Sequence, residues 1–343
     1  MNSQVNQSRV ENVFFSMSMR FIVPIEHANM IGTIAESNIT KHRFIHIPVP
    51  MKVQDGEVKY RLVKVPAISG QAVLNAYERA LVDYAKKVGL HVDPMCEQYN
   101  FIKHTNDNKG NEQDWIDNCV VEDITGYLAP QVGVKKTSAV WFSYVVPDLT
   151  AGKALLDYQM FTRFTPEAKK GEQFIGERES GHAVYRLSVA INVNAIGRDG
   201  KGNLVINNAE ERRKRIEAAF RALMLMLDGS YIGANKTRAL MIEYTKPTSF
   251  VTAVSVGLPF MVSPAEGYDY IDNTCQRAAI FVKEIGSEVY LYYSAGADAK
   301  EPQQCGQGNG LAVKRVSTLN EAIGKALDTV LGKLGLKEQG SKA

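Results

Sequence analysis

Two stretches of the chain have different hydrophobic periods, and their order limits the folds that are possible. Between residues 15 and 23, apolar residues alternate with serine and arginine, which is the period of a strand with one covered face. Residues 70–88 change to an apolar stripe at helical spacing, with Ser69 as the expected N-cap and Gly89 as the expected C-cap. The ordered part of the chain is therefore expected to begin with a strand followed by a helix.

The same criteria of period and capping apply to the rest of the chain. They predict a hairpin of strands 44–49 and 58–65 around the turn-forming pair Asp55-Gly56, further strands at 158–164, 183–193 and 239–244, and helices at 209–227 and 319–334. Reduced to its clearest elements, the order is strand, helix, strand, strand, helix, strand. This order predicts an α+β fold class, with a modified ferredoxin-like plan of the RNA-recognition type.

Composition places the chain among soluble globular proteins, with 343 residues, 45% hydrophobic and 22% charged. The net charge of +3 is too small to prove a polyanionic partner. The first twelve residues lack the apolar core of a signal peptide, and no apolar run approaches the roughly 20 residues of a spanning helix. We therefore expect a cytoplasmic protein with no membrane contact.

The cysteines and histidines do not predict a cofactor or a metal site. The 4 cysteines stand far apart without a CxxC pair, so we expect reduced thiols rather than a disulfide framework or a zinc site. His42 and His46 have a four-residue spacing but lack the glutamate of an HExxH motif. We expect no cofactor.

The segment SNITKHR, residues 37–43, places an amide, hydroxyls, cations and a histidine between two apolar runs. These groups suit contacts with phosphate and with the 2′-hydroxyl of RNA. Arg20 and Ser18 on the first strand are expected to face away from the core and to continue this polar track. The helix start at Ser69-Gly70-Gln71 would add backbone N–H donors.

Basic residues also occur in two further segments. The loop GSYIGANKT, residues 229–237, lacks the spacing of a nucleotide-binding P-loop, but Gly233 with Lys236 and Arg238 suits a nucleic-acid backbone. The alternative is a solvated connector. The RRKR cluster, residues 212–215, is expected to form a solvated helix face.

Several of these segments occur together in one known family. SMRFIV, SNITKHR, VPAISGQAVLNAYERALVDYAKKVGL, GVKKTSAVWFSYVVP and GANKTR, in this order, resemble the crRNA-binding backbone subunits of archaeal type I-A CRISPR Cascade complexes, in the DevR branch of the RAMP superfamily. The resemblance implies a single decorated domain with a palm (13–89, 151–164 and 183–335), a fingers insertion (90–150) and a thumb hairpin (165–182).

The resemblance also implies an RNA groove lined by scattered loops. Phe174-Ile175 in the thumb would press between bases as an apolar wedge. The full set of expected RNA-binding residues is Arg20, Asn38, Thr40, Lys41, His42, Arg43, Ser69, Gly70, Gln71, Lys135, Lys136, Thr137, Ser138, Arg163, Phe174, Ile175, Gly233, Lys236 and Arg238.

The function implied by the resemblance is non-catalytic. Copies would associate head to tail along CRISPR guide RNA, with other Cascade subunits, and present the guide for pairing with target DNA. One alternative is a RAMP endoribonuclease that processes guide precursor RNA, with His42 and either Lys41 or His46 as its catalytic groups. Another is a nucleic-acid-binding autoregulator. No nucleophile elbow or paired-carboxylate motif supports a common hydrolase.

Overall fold

The computed structural model describes residues 12–24, 30–34, 39–52, 58–107, 109–152, 154, 157–163, 174–228, 231–233, 247–303, 305, 308 and 310–337. For the strands at 30–34, 39–42, 157–163 and 174–180, the description is limited to the backbone. None of the described helices is long and apolar enough to cross a membrane.

The described residues form fifteen strands and seven α-helices. The strands are β1 (Val13–Pro24), β2 (Met30–Ile34), β3 (Ile39–His42), β4 (Phe44–Lys52), β5 (Val58–Pro66), β6 (Tyr127–Ala129), β7 (Val134–Lys136), β8 (Val140–Phe142), β9 (Val146–Pro147), β10 (Asp157–Arg163), β11 (Phe174–Ser180), β12 (His182–Asn192), β13 (Ser249–Val256), β14 (Glu288–Ser294) and β15 (Leu311–Arg315). The helices are α1 (Gly70–Val88), α2 (Pro94–Glu97), α3 (Glu112–Asn118), α4 (Val120–Thr125), α5 (Ala209–Asp228), α6 (Tyr270–Ile285) and α7 (Leu319–Lys333).

One mixed sheet organises this part of the chain. Its strand order is β15-β14-β13-β1-β12-β8, and β9 also pairs with β12. β1 is antiparallel to both of its neighbours, β12 and β13, whereas β14 and β15 are parallel. The first predicted strand is thus confirmed, and it lies in the middle of the sheet.

Both faces of β1 are buried, contrary to the expectation of one covered face. Its apolar residues, including Phe15 and Met17, pack into a large core with α1, α5 and α7. The opposite face carries Ser16, whose hydroxyl donates to the carbonyl of Phe260 at 3.0 Å and accepts from the N–H of Val262 at 3.1 Å. The polar residues of β1 are therefore hydrogen-bonded to a segment of chain that covers the sheet.

That covering layer has its own core. Tyr270, Ile271 and Cys275 of α6 pack with Val251 of β13 and Leu291 of β14. The sheet is consequently enclosed between α1, α5 and α7 on one side and α6 with its preceding loop on the other.

The predicted helix boundaries of α1 and α5 agree with the structure. The Ser69 side chain accepts from the N–H of Ala72 at 3.3 Å, and Gly89 ends α1 with φ of +73°, a left-handed conformation that glycine adopts without strain. The Asn208 carboxamide accepts from the first turn of α5. These local signals were sufficient because capping depends on neighbouring residues.

Three strand predictions meet different outcomes. β4 and β5 form the predicted antiparallel hairpin, although Asp55-Gly56 lies outside the described residues. β10 pairs with β11 rather than with the large sheet, and the segment 90–150 supplies the sheet strands β8 and β9. The strand predicted at 239–244 lies outside the described residues.

The prediction of reduced thiols is wrong for two of the cysteines. Cys275 of α6 and Cys305 are joined by a disulfide, with Cα atoms 5.5 Å apart and a sequence separation of 30. Wide sequence spacing does not exclude a disulfide, because the fold decides which residues meet. Cys96 and Cys119 remain free and are buried.

Candidate nucleic-acid interface

The backbone brings two of the predicted RNA-binding segments next to each other. Thr40, Lys41 and His42 lie on β3, which pairs with β2 and also contacts β11. β11 begins with Phe174 and Ile175. The polar SNITKHR segment and the predicted apolar wedge are therefore neighbours in the fold, although Asn38 lies outside the described residues.

One hairpin brings Arg163 next to the residues of the predicted apolar wedge. Arg163 of β10 pairs with Phe174 of β11, and Thr162 pairs with Ile175. Arg163 and the predicted wedge therefore lie at the same end of this hairpin.

Arg43 joins the SNITKHR segment to the start of α1. Its carbonyl accepts from the N–H of Ala67 at 2.9 Å, two residues before the N-cap Ser69. Gly70 is required there because a Cβ would lie 2.6 Å from the carbonyl oxygen of Phe142. Gln71, on the first turn, is exposed. The structure thus places Arg43, Ser69, Gly70 and Gln71 together.

Gln71 and Lys136 line one cleft, of about 580 Å³. Its walls come from the first half of α1, from residues 99–105, from residues 125–128 and from β7. Glu78 and Lys103, which lie on two different walls of the cleft, form an ion pair. The Lys103 ammonium also donates a hydrogen bond to the Thr125 hydroxyl at 2.6 Å. We call this space the α1 cleft.

Arg20 does not face solvent, contrary to its prediction as an RNA-binding residue. Its side chain is 2% exposed and forms an ion pair with Asp148. The guanidinium also donates to the carbonyls of Ala265 at 3.1 Å, Asp298 at 2.6 Å and Gly267 at 2.6 Å. Arg20 therefore fastens the covering segment to β1 and neutralises a buried carboxylate.

Lys136 is also buried, contrary to its prediction. Its side chain is 3% exposed and its ammonium forms an ion pair with Asp123. Burial lowers the pKa of Lys136, while Asp123 acts in the opposite direction. Asp123 also accepts from Arg215 at 3.1 Å. Lys136 is therefore part of an internal ionic network.

The RRKR cluster was expected to form a solvated helix face, but two of its arginines are buried. Arg215 is fully buried and donates to the carbonyls of Ile116 at 2.6 Å and Asp117 at 2.8 Å. Arg212 is 9% exposed and donates to the carbonyl of Ile196. Two of these arginines thus anchor α5 to its surroundings instead of forming a solvated face.

The neighbours of Lys136 are accessible. Lys135 and Thr137 are exposed, and the Ser138 hydroxyl donates to the carbonyl of Val140 at 2.6 Å. A Cβ at Gly200 would lie 2.1 Å from the Lys135 carbonyl oxygen, so the backbone of β7 runs directly beside the turn that contains Lys201.

Thr137 lines a second cleft, of about 950 Å³, which we call the β8 cleft. Its lining includes two aromatic rings, three basic residues, amides and one carboxylate: Phe14, Trp141, Lys136, Arg198, Lys201, Asn192, Asn194 and Asp199. The Trp141 indole is 45% exposed and donates to the carbonyl of Ser138 at 2.7 Å, so its ring is held at the cleft while one surface remains open.

Trp141, Arg198 and Lys201 were not predicted as site residues. Trp141 lies within GVKKTSAVWFSYVVP, but only the cationic and hydroxyl residues of that segment were predicted. Its nearness to Lys135 and Thr137 in sequence was the available signal, because exposed aromatic residues often accompany cations at nucleic-acid interfaces. Arg198 and Lys201 lie in a turn that comes close to β7 only through the fold.

The GANKTR loop is described only at its start. Gly233 has φ of +99°, and the Tyr231 hydroxyl donates to the Asp83 carboxylate at 2.5 Å, which ties the loop to the second half of α1. Lys236 and Arg238 lie outside the described residues. Their RNA contacts remain predictions.

The fold has the form found in CRISPR effector assemblies. A solved chain of a "CRISPR RNA-guided surveillance complex" superposes with a TM-score of 0.50 over 93% of this chain and 99% of that chain, at 12% identity. A second structure, a "CRISPR RNA-guided surveillance complex, pre-nicking", matches with the same TM-score of 0.50 over 92% of this chain.

Sequence comparison gives the family. The model described as "CRISPR-associated negative auto-regulator DevR/Csa2" matches residues 17–275, and the chain belongs to this family. It is 32% identical to the aCascade subunit Cas7/Csa2 2 of Saccharolobus solfataricus, over 76% of this chain and 85% of that protein. It is 31% identical to Cas7/Csa2 1 of the same organism, over 84% and 94% respectively.

Proposed function

We propose that the chain is a non-catalytic backbone subunit of a type I-A Cascade complex, and that it binds CRISPR guide RNA. Membership of the DevR/Csa2 family and the aCascade name of a relative at 32% identity support this role. Other Cascade subunits would be its partners, and target DNA would be engaged through pairing with the guide.

The sheet order supports a ferredoxin-like palm. β13, β1, β12 and β8 follow one another in the sheet, with α1 between β1 and β8 in the chain and α5 between β12 and β13. This is the order that the split βαβ plan requires when its four strands are numbered along the chain. In this interpretation the thumb, residues 165–182, would contain β11, and the fingers, residues 90–150, would contain β6 to β9.

The observation that carries the proposal is the β8 cleft. An exposed indole, cations and amides meet there beside a hydroxyl, and single-stranded nucleic acids are bound by this combination of ring stacking and phosphate contacts. Such contacts do not read base edges, which suits a guide whose sequence varies.

The covered sheet face restricts the RNA path. Ser16 and Arg20 are hydrogen-bonded to the covering segment, so bases cannot stack across that part of the sheet as they do in an open RNA-recognition sheet. The RNA would instead follow the rim formed by β3, β11, the α1 start, β7 and the β8 cleft. Head-to-tail association of copies would extend this rim, since a heterologous contact that does not close generates a filament.

The test is an RNA-binding titration with labelled repeat-containing RNA, read by mobility shift and on a denaturing gel. We expect a shift without shortening of the RNA, and larger particles as the RNA is lengthened. We expect Arg198→Ala with Lys201→Ala, two cations of the β8 cleft, to weaken binding and to reduce the salt slope by about 0.7 for each phosphate that the variant no longer neutralises.

Lys314→Ala is the matched control, because Lys314 is exposed on β15 at the opposite edge of the sheet. Site-specific cleavage that is abolished in His42→Ala would overturn the non-catalytic assignment in favour of the endoribonuclease. Equal affinity of the double variant and the control would remove the β8 cleft from the RNA path.

A further inference from the structure

Two thiols and a carboxylate meet in the interior of the segment between α1 and β6. Cys96 on α2 and Cys119 between α3 and α4 are each 1% exposed, and Glu122 on α4 is 2% exposed. One ligand atom from each residue lies within 4.8 Å of the other two. Sequence spacing did not predict this group, because 22 residues separate the first cysteine from the second and no CxxC pair marks it.

The buried Glu122 carboxylate is held by a histidine. His104 Nε2 lies 2.7 Å from Glu122 Oε2, and His104 Nδ1 lies 2.7 Å from Asp107 Oδ2. The imidazole stacks on the Trp115 ring at 4.0 Å between centroids. The carboxylate is thus fixed in orientation through a histidine that is itself fixed on both sides, as is usual for the groups that surround a metal ligand.

The backbone at His104 is in a conformation that needs support. Lys103 and His104 have φ of +49° and +63°, the left-handed region, which costs non-glycine residues free energy and persists where the surroundings impose it. In this backbone conformation the His104 imidazole reaches the Glu122 carboxylate. Strain of this kind is consistent with a site that is completed by a strong ligand interaction.

The donor set itself suits zinc. Thiolates are the ligands that favour zinc over harder divalent ions, and carboxylate oxygens also bind it.

We propose that Cys96, Cys119 and Glu122 bind a zinc ion, with His104 as the positioning residue for the Glu122 carboxylate. The ion would connect α2, the loop 99–107 and the α3–α4 junction, which are short elements with little regular structure of their own. Metal sites commonly stabilise segments of this kind. Since residues 99–105 line the α1 cleft, the ion would also fix one wall of that cleft.

The experiment measures metal in the full-length chain purified without chelator and without an affinity tag that binds metals. We expect about one zinc ion per chain by mass spectrometry, and a thiolate-to-cobalt charge-transfer band after exchange with Co²⁺. Cys96→Ser with Cys119→Ser should remove both signals. Cys275→Ser with Cys305→Ser is the matched control and should keep them, because these residues lie in the other core.

Two single variants keep the test decisive if the double serine variant does not fold. Glu122→Gln preserves side-chain shape and both thiols, and should lower zinc affinity and shift the cobalt spectrum. His104→Gln should lower affinity about 10- to 100-fold, with the charge-transfer band retained. Absence of zinc together with failure to take up Co²⁺ would overturn the proposal, as would a disulfide between Cys96 and Cys119 in the purified chain. Neither result depends on RNA binding.

Discussion

The side chains of Arg20 and Asp148 form a buried ion pair that joins β1 to the residue following β9, with exposures of 2% and 0%. Arg20 also holds three carbonyl groups of the segment that covers the sheet. This one side chain therefore connects the central strand, the sheet edge and the covering layer.

Replacement of Arg20 should destabilise the fold. Arg20→Ala leaves the Asp148 carboxylate buried without its partner, and we expect the free energy of unfolding to fall by about 3–5 kcal/mol. Denaturant titration would measure it. Arg186→Ala is the control, since Arg186 pairs with a Glu266 side chain that is 54% exposed, and it should cost about 1 kcal/mol or less. Equal destabilisation in the two variants would contradict the structural role of Arg20.

Replacing each of the two adjacent lysines on β7 in turn should have different effects on stability and on RNA binding. Lys135 is exposed, whereas Lys136 is buried against Asp123. We expect Lys135→Ala to weaken RNA binding with unfolding unchanged within about 0.5 kcal/mol. Lys136→Ala should lower the free energy of unfolding by about 1–3 kcal/mol, because Asp123 loses one charged partner and keeps Arg215. Both quantities can be measured on the same preparations by titration with RNA and with denaturant. A stable Lys136→Ala variant would refute this division.

The neighbouring lysines also show what sequence could and could not predict. A KKTS segment suggests a basic patch, but successive side chains of a strand point to opposite faces. Lys136 turns inward because Asp123, 13 residues earlier in the chain, provides a buried partner. Which of two like charges faces solvent is therefore decided by a tertiary contact that the local pattern does not contain.

The same difference between local patterns and tertiary contacts explains which elements were predicted from sequence and which were missed. β1, α1, α5 and α7 were predicted, because period and capping are local properties. The burial of Ser16 and Arg20 depends on partners more than 240 residues away. The strands β8 and β9 have 3 and 2 residues, too few to show a period. Sequence could therefore place the scaffold, but not the layer that closes its sheet.

Trp141 should contribute to RNA binding through its open face. Stacking of a base on an aromatic ring contributes about 1–3 kcal/mol, so we expect Trp141→Ala to raise the dissociation constant about 5- to 150-fold. Trp141→Phe retains a ring and should bind more tightly than the alanine variant. Tyr268→Ala removes a ring that is 59% exposed on the covering layer, and serves as the control. If both alanine variants bind RNA like the parent, Trp141 lies outside the interface.

Asp272 should make stability depend on pH in the acid range. A hydrogen bond from Lys300, with further contacts from the N–H of Gln303 and from Gln276, lowers the pKa of this carboxyl below 3.8 despite its burial. Because the folded pKa is below the unfolded one, the contribution is fully present above about pH 4 and is lost as pH falls through the folded pKa. Asp272→Asn should therefore be less stable than the parent at neutral pH, with the difference shrinking below pH 4.

Glu284→Gln, at an exposed position near the end of the same helix, should follow the parent at every pH. Chemical denaturation between about pH 2 and pH 7 would measure the three curves, and a constant gap between Asp272→Asn and the parent over this range would show that the Lys300 contact does not set the charge of Asp272.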